Sequence, residues 1–160
     1  MNEYKLTWSS WFNVKLIPGY QIASGKSNDN PYGCGSLQLQ LPLFCQQGLP
    51  FESLFAGTLN LDLGSATFRW SKPWKAITEL QWHRDFPAES FLFSPCEITH
   101  SGQRYSAFIY YPDPATKIGH FQSSNTIEVI STFIPGLNYG DTIKVRVPLD
   151  YIEVAGVQHG

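Results

Sequence analysis

The sequence predicts a mainly β fold: a compact, closed or partly closed β-barrel with one or two short helices. Three observations carry that prediction. Several short runs alternate apolar and polar residues, aromatic and β-branched side chains are frequent, and glycine and proline interrupt the runs at short intervals. Alternation with a period of two marks half-buried strands, and many short strands separated by turn residues suit a barrel or a sandwich.

Taken in order, the runs are as follows. Leu37, Leu39 and Leu41 alternate with Gln38 and Gln40, and predict a strand ending at Leu41-Pro42. Leu59, Leu61 and Leu63 alternate with Asn60 and Asp62, and Ile143, Val145 and Val147 with Lys144 and Arg146. Residues 91–93, 105–111 and 127–130 are further strand candidates. Two places suit a helix. Residues 44–54 are cut by Gly48 and Pro50, so a helix there is short, and residues 73–82 place Pro73 in a first turn, where its missing N–H costs nothing. Trp70, Trp74 and Trp82 are expected to pack around that second helix, since aromatic side chains bury large areas. Residues 25–31 and 112–119 read as polar loops.

No composition break, repeat or linker divides the chain, so a single domain over residues 1–160 is expected. A formal net charge of -2, with no block of Lys and Arg, argues against nucleic acid as a partner. Residues 1–20 carry charges and Pro18, which suits neither a signal peptide nor a membrane span. Cys34, Cys45 and Cys96 are an odd set with no pair at zinc-binding spacing; free thiols in a reducing, cytoplasmic setting account for them. His83, His100, His120 and His159 are scattered without metal-site spacing.

The stretch Gly57-Thr58-Leu59-Asn60-Leu61-Asp62-Leu63 carries most of the chemistry. On a strand, Thr58 and Asn60 share the face opposite the leucines, and a hydroxyl and an amide oxygen side by side are hard neutral ligands suited to Mg²⁺. The bland alternative is a solvent-facing strand side. Glu128 alternates with Ile127 and Val129, so it faces away from what they bury; it is either an exposed carboxylate or a general base.

Three ordered segments resemble the archaeal CTP-dependent riboflavin kinase family. They are Ser24-Gly25 followed by Gly33-Cys34-Gly35 and a strand ending Leu41-Pro42, then Gly57-Thr58-Leu59-Asn60, then Ile127-Glu128-Val129-Ile130-Ser131 with Leu137, Gly140-Asp141 and Ile143-Lys144-Val145. The resemblance covers roughly residues 19–148. The resemblance implies a riboflavin kinase-like barrel that moves the terminal phosphoryl group of CTP to the 5′-hydroxyl of riboflavin, giving FMN. It implies Mg²⁺ on Thr58 and Asn60, nucleotide phosphates under Ser24, Gly25, Gly33 and Gly35, and flavin contacts from Thr116 or His120, with Phe121 or Tyr111 against the ring. Glycine-rich backbone can cradle phosphate without a Walker-type lysine, and Lys26 reads as a solvated side chain. Where the family has a short basic helix at its nucleotide pocket, residues 132–138 are uncharged and contain Pro135 and Gly136, so no helix is expected there. The alternative function is a flavin- or nucleotide-binding barrel without turnover, or an interaction domain sharing only the architecture.

Overall fold

A computed structural model describes residues 5–17, 36–113 and 125–156. The order of elements is β1 (Phe12–Ile17), α1 (Ser36–Gln46), β2 (Leu59–Asp62), β3 (Thr67–Trp70), β4 (Lys75–Leu80), β5 (Glu89–His100), β6 (Gln103–Pro112), β7 (Thr126–Ser131), β8 (Thr142–Arg146) and β9 (Ile152–Ala155). Strands β5-β6-β7-β2-β1-β8 pair in that order, and β8 returns to β5, closing a six-stranded antiparallel barrel. Closure removes the unpaired edges that an open sheet would present.

The long strand β5 makes the closure possible by dividing one of its edges. Its first half pairs with β4, while Glu97–Thr99 pair with β8. Its other edge runs along β6 through Phe91↔Pro112 to His100↔Gln103, joined by a two-residue turn at Ser101 and Gly102. Both turn residues have positive φ, 50° and 76°, the backbone that matches the twist of a tight hairpin. Strands β3 and β9 form a separate two-stranded ribbon.

Alternation assigns the side chains. Val14, Leu61, Cys96, Ile98, Ile109, Val129 and Val145 point into the barrel and are buried together. The opposite faces of β5, β6 and β7 present Phe91, Phe93, Tyr110 and Ile130, which α1 covers with Leu37, Leu41 and Phe44. Phe44 meets Phe91 and Phe93 edge-on, each with ring centroids 5.1 Å apart, an arrangement aromatic pairs favour. The start of the described chain is held by Arg146, which pairs with Glu97 at 2.6 Å and lies over the rings of Trp8 and Trp11.

Two expected elements differ. Residues 37–41 are not a strand but the first part of α1. Leu37, Gln40, Leu41 and Phe44 are buried, and they follow the i, i+3, i+4, i+7 spacing of a helix face, whereas Leu39 stays at the surface. The helix tolerates Pro42 in its interior and ends in a Schellman turn: Leu49 N–H donates to the Phe44 carbonyl (3.2 Å) and Gly48 N–H to that of Cys45 (3.0 Å). Gly48, at φ +94°, supplies the left-handed residue the turn requires. The helix expected over 44–54 is thus only the last turn of α1.

Residues 73–82 are not helical; they hold the strand β4. Pairing with β5 outweighed the proline signal, and a shift of register between Ile77 and Leu80, with Glu79 at φ 52°, bends the strand. The tryptophans do pack, but elsewhere: Trp74 stacks on Phe108 at 5.4 Å and Trp82 donates to Glu89 at 3.0 Å. Trp70 lies against Phe68 and Tyr111. Among the described residues no helix is long and apolar enough to cross a membrane.

Candidate functional site

Strands β2 and β7 bring the chemistry-bearing residues of two distant segments together. They pair antiparallel with Asn60 opposite Glu128 and Leu61 opposite Ile127. Leu61, Ile127 and Val129 fill the barrel, so Asn60 and Glu128 stand on its outer face, with Thr58 just before the strand. The Thr58 hydroxyl donates to the Glu128 carboxylate across 3.5 Å, a long contact between residues 70 apart in sequence. Asn60 is only 8% exposed, so it is not the solvent-facing residue that alternation alone suggests. Its replacement therefore carries a stability cost that an exposed polar side chain would not.

A cleft of about 410 Å³ opens beside this group. Leu16, Ile17, Thr58 and Asn60 line it on the barrel side, and residues 131–134 and 136–139 on the other. Backbone hydrogen bonds hold both walls. Phe55 N–H donates to the Ser131 carbonyl at 2.9 Å, tying the approach to β2 to the end of β7. Gly140 N–H donates to the Leu16 carbonyl at 2.7 Å and Leu16 N–H to that of Asp141 at 2.9 Å, pinning the far end of the second wall to β1. Asp141 also accepts from Asn138 N–H through its carboxylate at 2.9 Å. As expected, residues 132–138 contain no helix; the chain turns there through Pro135 and Gly136, the latter at φ +81°.

Phe55, Phe133 and Tyr139 stand around the cleft and are 52%, 66% and 56% exposed. The Phe55 and Phe133 rings touch, with centroids 5.7 Å apart and planes tilted by 58°. Among the described residues, none that lines the cleft carries a formal charge; their polar groups are hydroxyls, amides and backbone. The three aromatics were not singled out from sequence, although each sits next to turn residues rather than in an alternating run. An aromatic residue in such a place has no strand face to bury it, and that was the available signal.

The oxygen set fits a hard divalent cation: a threonine hydroxyl, an asparagine amide and, adjoining them, a glutamate carboxylate. Among the described residues no three His, Cys, Asp or Glu side chains cluster as a metal site. Ser24, Gly25, Lys26, Gly33, Gly35, Thr116, His120 and Phe121 lie outside the described residues. Tyr111 does not face the cleft. It lies against Phe68 and Trp70, and burial, with Asp113 nearby, pushes its phenol above the usual value.

A second hollow, about 650 Å³, lies along the β3–β9 ribbon and is crossed by the exposed pair Arg69 and Glu153. Cys96, inside the barrel, is fully buried, and burial raises its thiol well above the ordinary range, with Glu97 adding to the shift. A thiol so placed is a packing residue rather than a nucleophile.

No protein-family model matches this chain, and no curated protein matches it.

Proposed function

We propose that this barrel is a riboflavin kinase-like phosphotransferase, moving the terminal phosphoryl group of a nucleoside triphosphate, CTP by the resemblance, to the 5′-hydroxyl of riboflavin. The observation that carries the reading is that Thr58 and Asn60, which line the cleft, are joined by Glu128, hydrogen-bonded to Thr58 and opposite Asn60, from segments that both belong to the resemblance. In this reading Thr58 and Asn60 hold Mg²⁺ through their side-chain oxygens. The bound ion supplies charge neutralisation on the phosphate oxygens, which is the main demand of phosphoryl transfer. Glu128 accepts the proton of the flavin hydroxyl at its carboxylate, and its contact with Thr58 orients that carboxylate. The backbone of Ser24, Gly25, Gly33 and Gly35 binds phosphate, and Thr116 or His120 contributes to flavin binding. A cytoplasmic location accompanies this reading.

The second reading is a barrel that binds flavin or nucleotide without turnover. The uncharged lining that the described residues give the cleft favours it, because a triphosphate is ordinarily met by cationic side chains.

Incubation with riboflavin, Mg²⁺ and either CTP or ATP, with FMN separated by chromatography, tests both. Metal-dependent FMN is expected, and Glu128→Gln is expected to lower kcat by about 10²-fold or more while riboflavin still binds. Equal turnover by that variant removes Glu128 from the base role. Riboflavin binding without FMN selects the second reading.

A further inference from the structure

We infer that the cleft is the seat of the acceptor ring: a neutral, planar, fused heteroaromatic ligand bound between Phe55, Phe133 and Tyr139, and not the nucleoside triphosphate. The inference rests on the reading above for the identity of that acceptor. It departs from the resemblance, in which the segment corresponding to residues 132–138 belongs to the nucleotide pocket.

Three features of the cleft point the same way. Its volume, about 410 Å³, falls within the range of ~300–1,000 Å³ usual for small-molecule sites. Among the described residues its lining offers no cationic side chain to a polyphosphate, whereas a neutral ring with a hydroxylated chain meets apolar and neutral polar groups there. Its aromatics are exposed although phenylalanine is seldom left in water. Of the five large hydrophobic side chains that are exposed among the described residues, three stand at this one cleft. Such a concentration of apolar surface marks a binding site.

The geometry also sets the direction of the ligand. The rings of Phe55 and Phe133 lie at the outer margin, half or more exposed, while Asn60 is buried on the barrel side. A ring stacked on the phenylalanines thus directs its hydroxylated substituent toward Thr58 and Asn60, beside Glu128. Stacking is sequence-tolerant and directional only through its plane, so the buried amide and hydroxyl fix the orientation.

Quenching of riboflavin fluorescence by the intact protein measures the ring directly, and displacement of bound riboflavin by CTP measures overlap of the two ligands. Phe55→Ala and Phe133→Ala are expected to weaken riboflavin binding about tenfold each, with CTP affinity unchanged. Phe133→Tyr, which keeps the ring, is expected to restore binding. Circular dichroism melting of each variant excludes unfolding as the cause. The inference is overturned by absence of riboflavin binding to the wild type, by riboflavin affinity unchanged in both alanine variants, or by loss of CTP affinity in its place. These outcomes separate from those of the kinase assay. FMN formation with riboflavin affinity indifferent to Phe55 and Phe133 keeps the kinase and discards this seat, whereas ring-dependent binding without FMN does the reverse.

Discussion

Ile130 and Glu128 lie two residues apart on the same strand and the same outer face of the barrel, yet they serve different ends. Ile130 is sealed under α1 among Phe44, Phe51, Phe91 and Phe93, whereas Glu128 adjoins Asn60 and Thr58 beside an open cleft. Where a helix covers the wall, the barrel gains a second apolar core. Where, among the described residues, the turns at 55–57 and 132–139 approach it, the wall keeps its oxygen atoms within reach of a ligand. One face of one sheet is thus divided between stability and chemistry by what the rest of the chain lays over it.

The covered wall is expected to give the largest effect. Phe44→Ala removes a fully buried ring that touches Phe51, Phe91 and Phe93, and should cost ~3–5 kcal/mol in urea unfolding. A loss below ~1 kcal/mol would mean that α1 is dispensable and that the contrast between the two walls is misdrawn.

Beneath both walls, the Cys96 thiol offers a test by pH. Its folded value is raised above the ordinary 9.0, so the folded state keeps a proton that the unfolded state releases. The stabilisation is therefore fully present below that value and lost as pH climbs past it, by about 1.4 kcal/mol per pH unit. Tyr111 acts with the same sign nearer its own ordinary value, so the informative quantity is the difference between wild type and Cys96→Ala. Unfolding midpoints between pH 8 and 10.5 should fall more steeply for the wild type; parallel curves would show that the thiol reaches water in the folded state.

Smaller again is Tyr110→Phe. The Tyr110 hydroxyl donates to the Gln40 side-chain carbonyl at 2.7 Å, the polar link between β6 and the buried face of α1. Its removal should cost ~1–2 kcal/mol without altering ligand binding at the cleft. The smallest stability effect belongs to the open wall: Thr58→Val keeps the shape of a half-buried side chain and should change stability by only ~0.5 kcal/mol. The same substitution should abolish metal-dependent FMN formation. Turnover retained by a folded Thr58→Val protein would place the metal elsewhere.

The strands most clearly written in the sequence are those with one face in the barrel. Leu59 to Leu63, Ile127 to Val129 and Ile143 to Val147 alternate because every second side chain enters the barrel, and they belong to β2, β7 and β8. Leu37 to Leu41 alternates just as well and is a helix, because Leu37, Gln40, Leu41 and Phe44 also satisfy a helical spacing and the outer wall of β5 and β6 was available to receive them. Residues 73–82 carry a helix-start signal that lost to pairing with β5, an interaction absent from any local window.

The sequence by itself determined the β character, the barrel-facing rows and the grouping of Thr58 with Asn60, since these follow from a period of two within a few residues. Tertiary structure alone decided that Glu128 stands opposite Asn60, that Asn60 is buried, and that Phe55, Phe133 and Tyr139 share one cleft. Those relations depend on strand register and on hydrogen bonds between distant backbone groups, such as Phe55 to Ser131 and Gly140 to Leu16. Alternation along a single strand specifies its two faces, but not the neighbour that will lie against either of them.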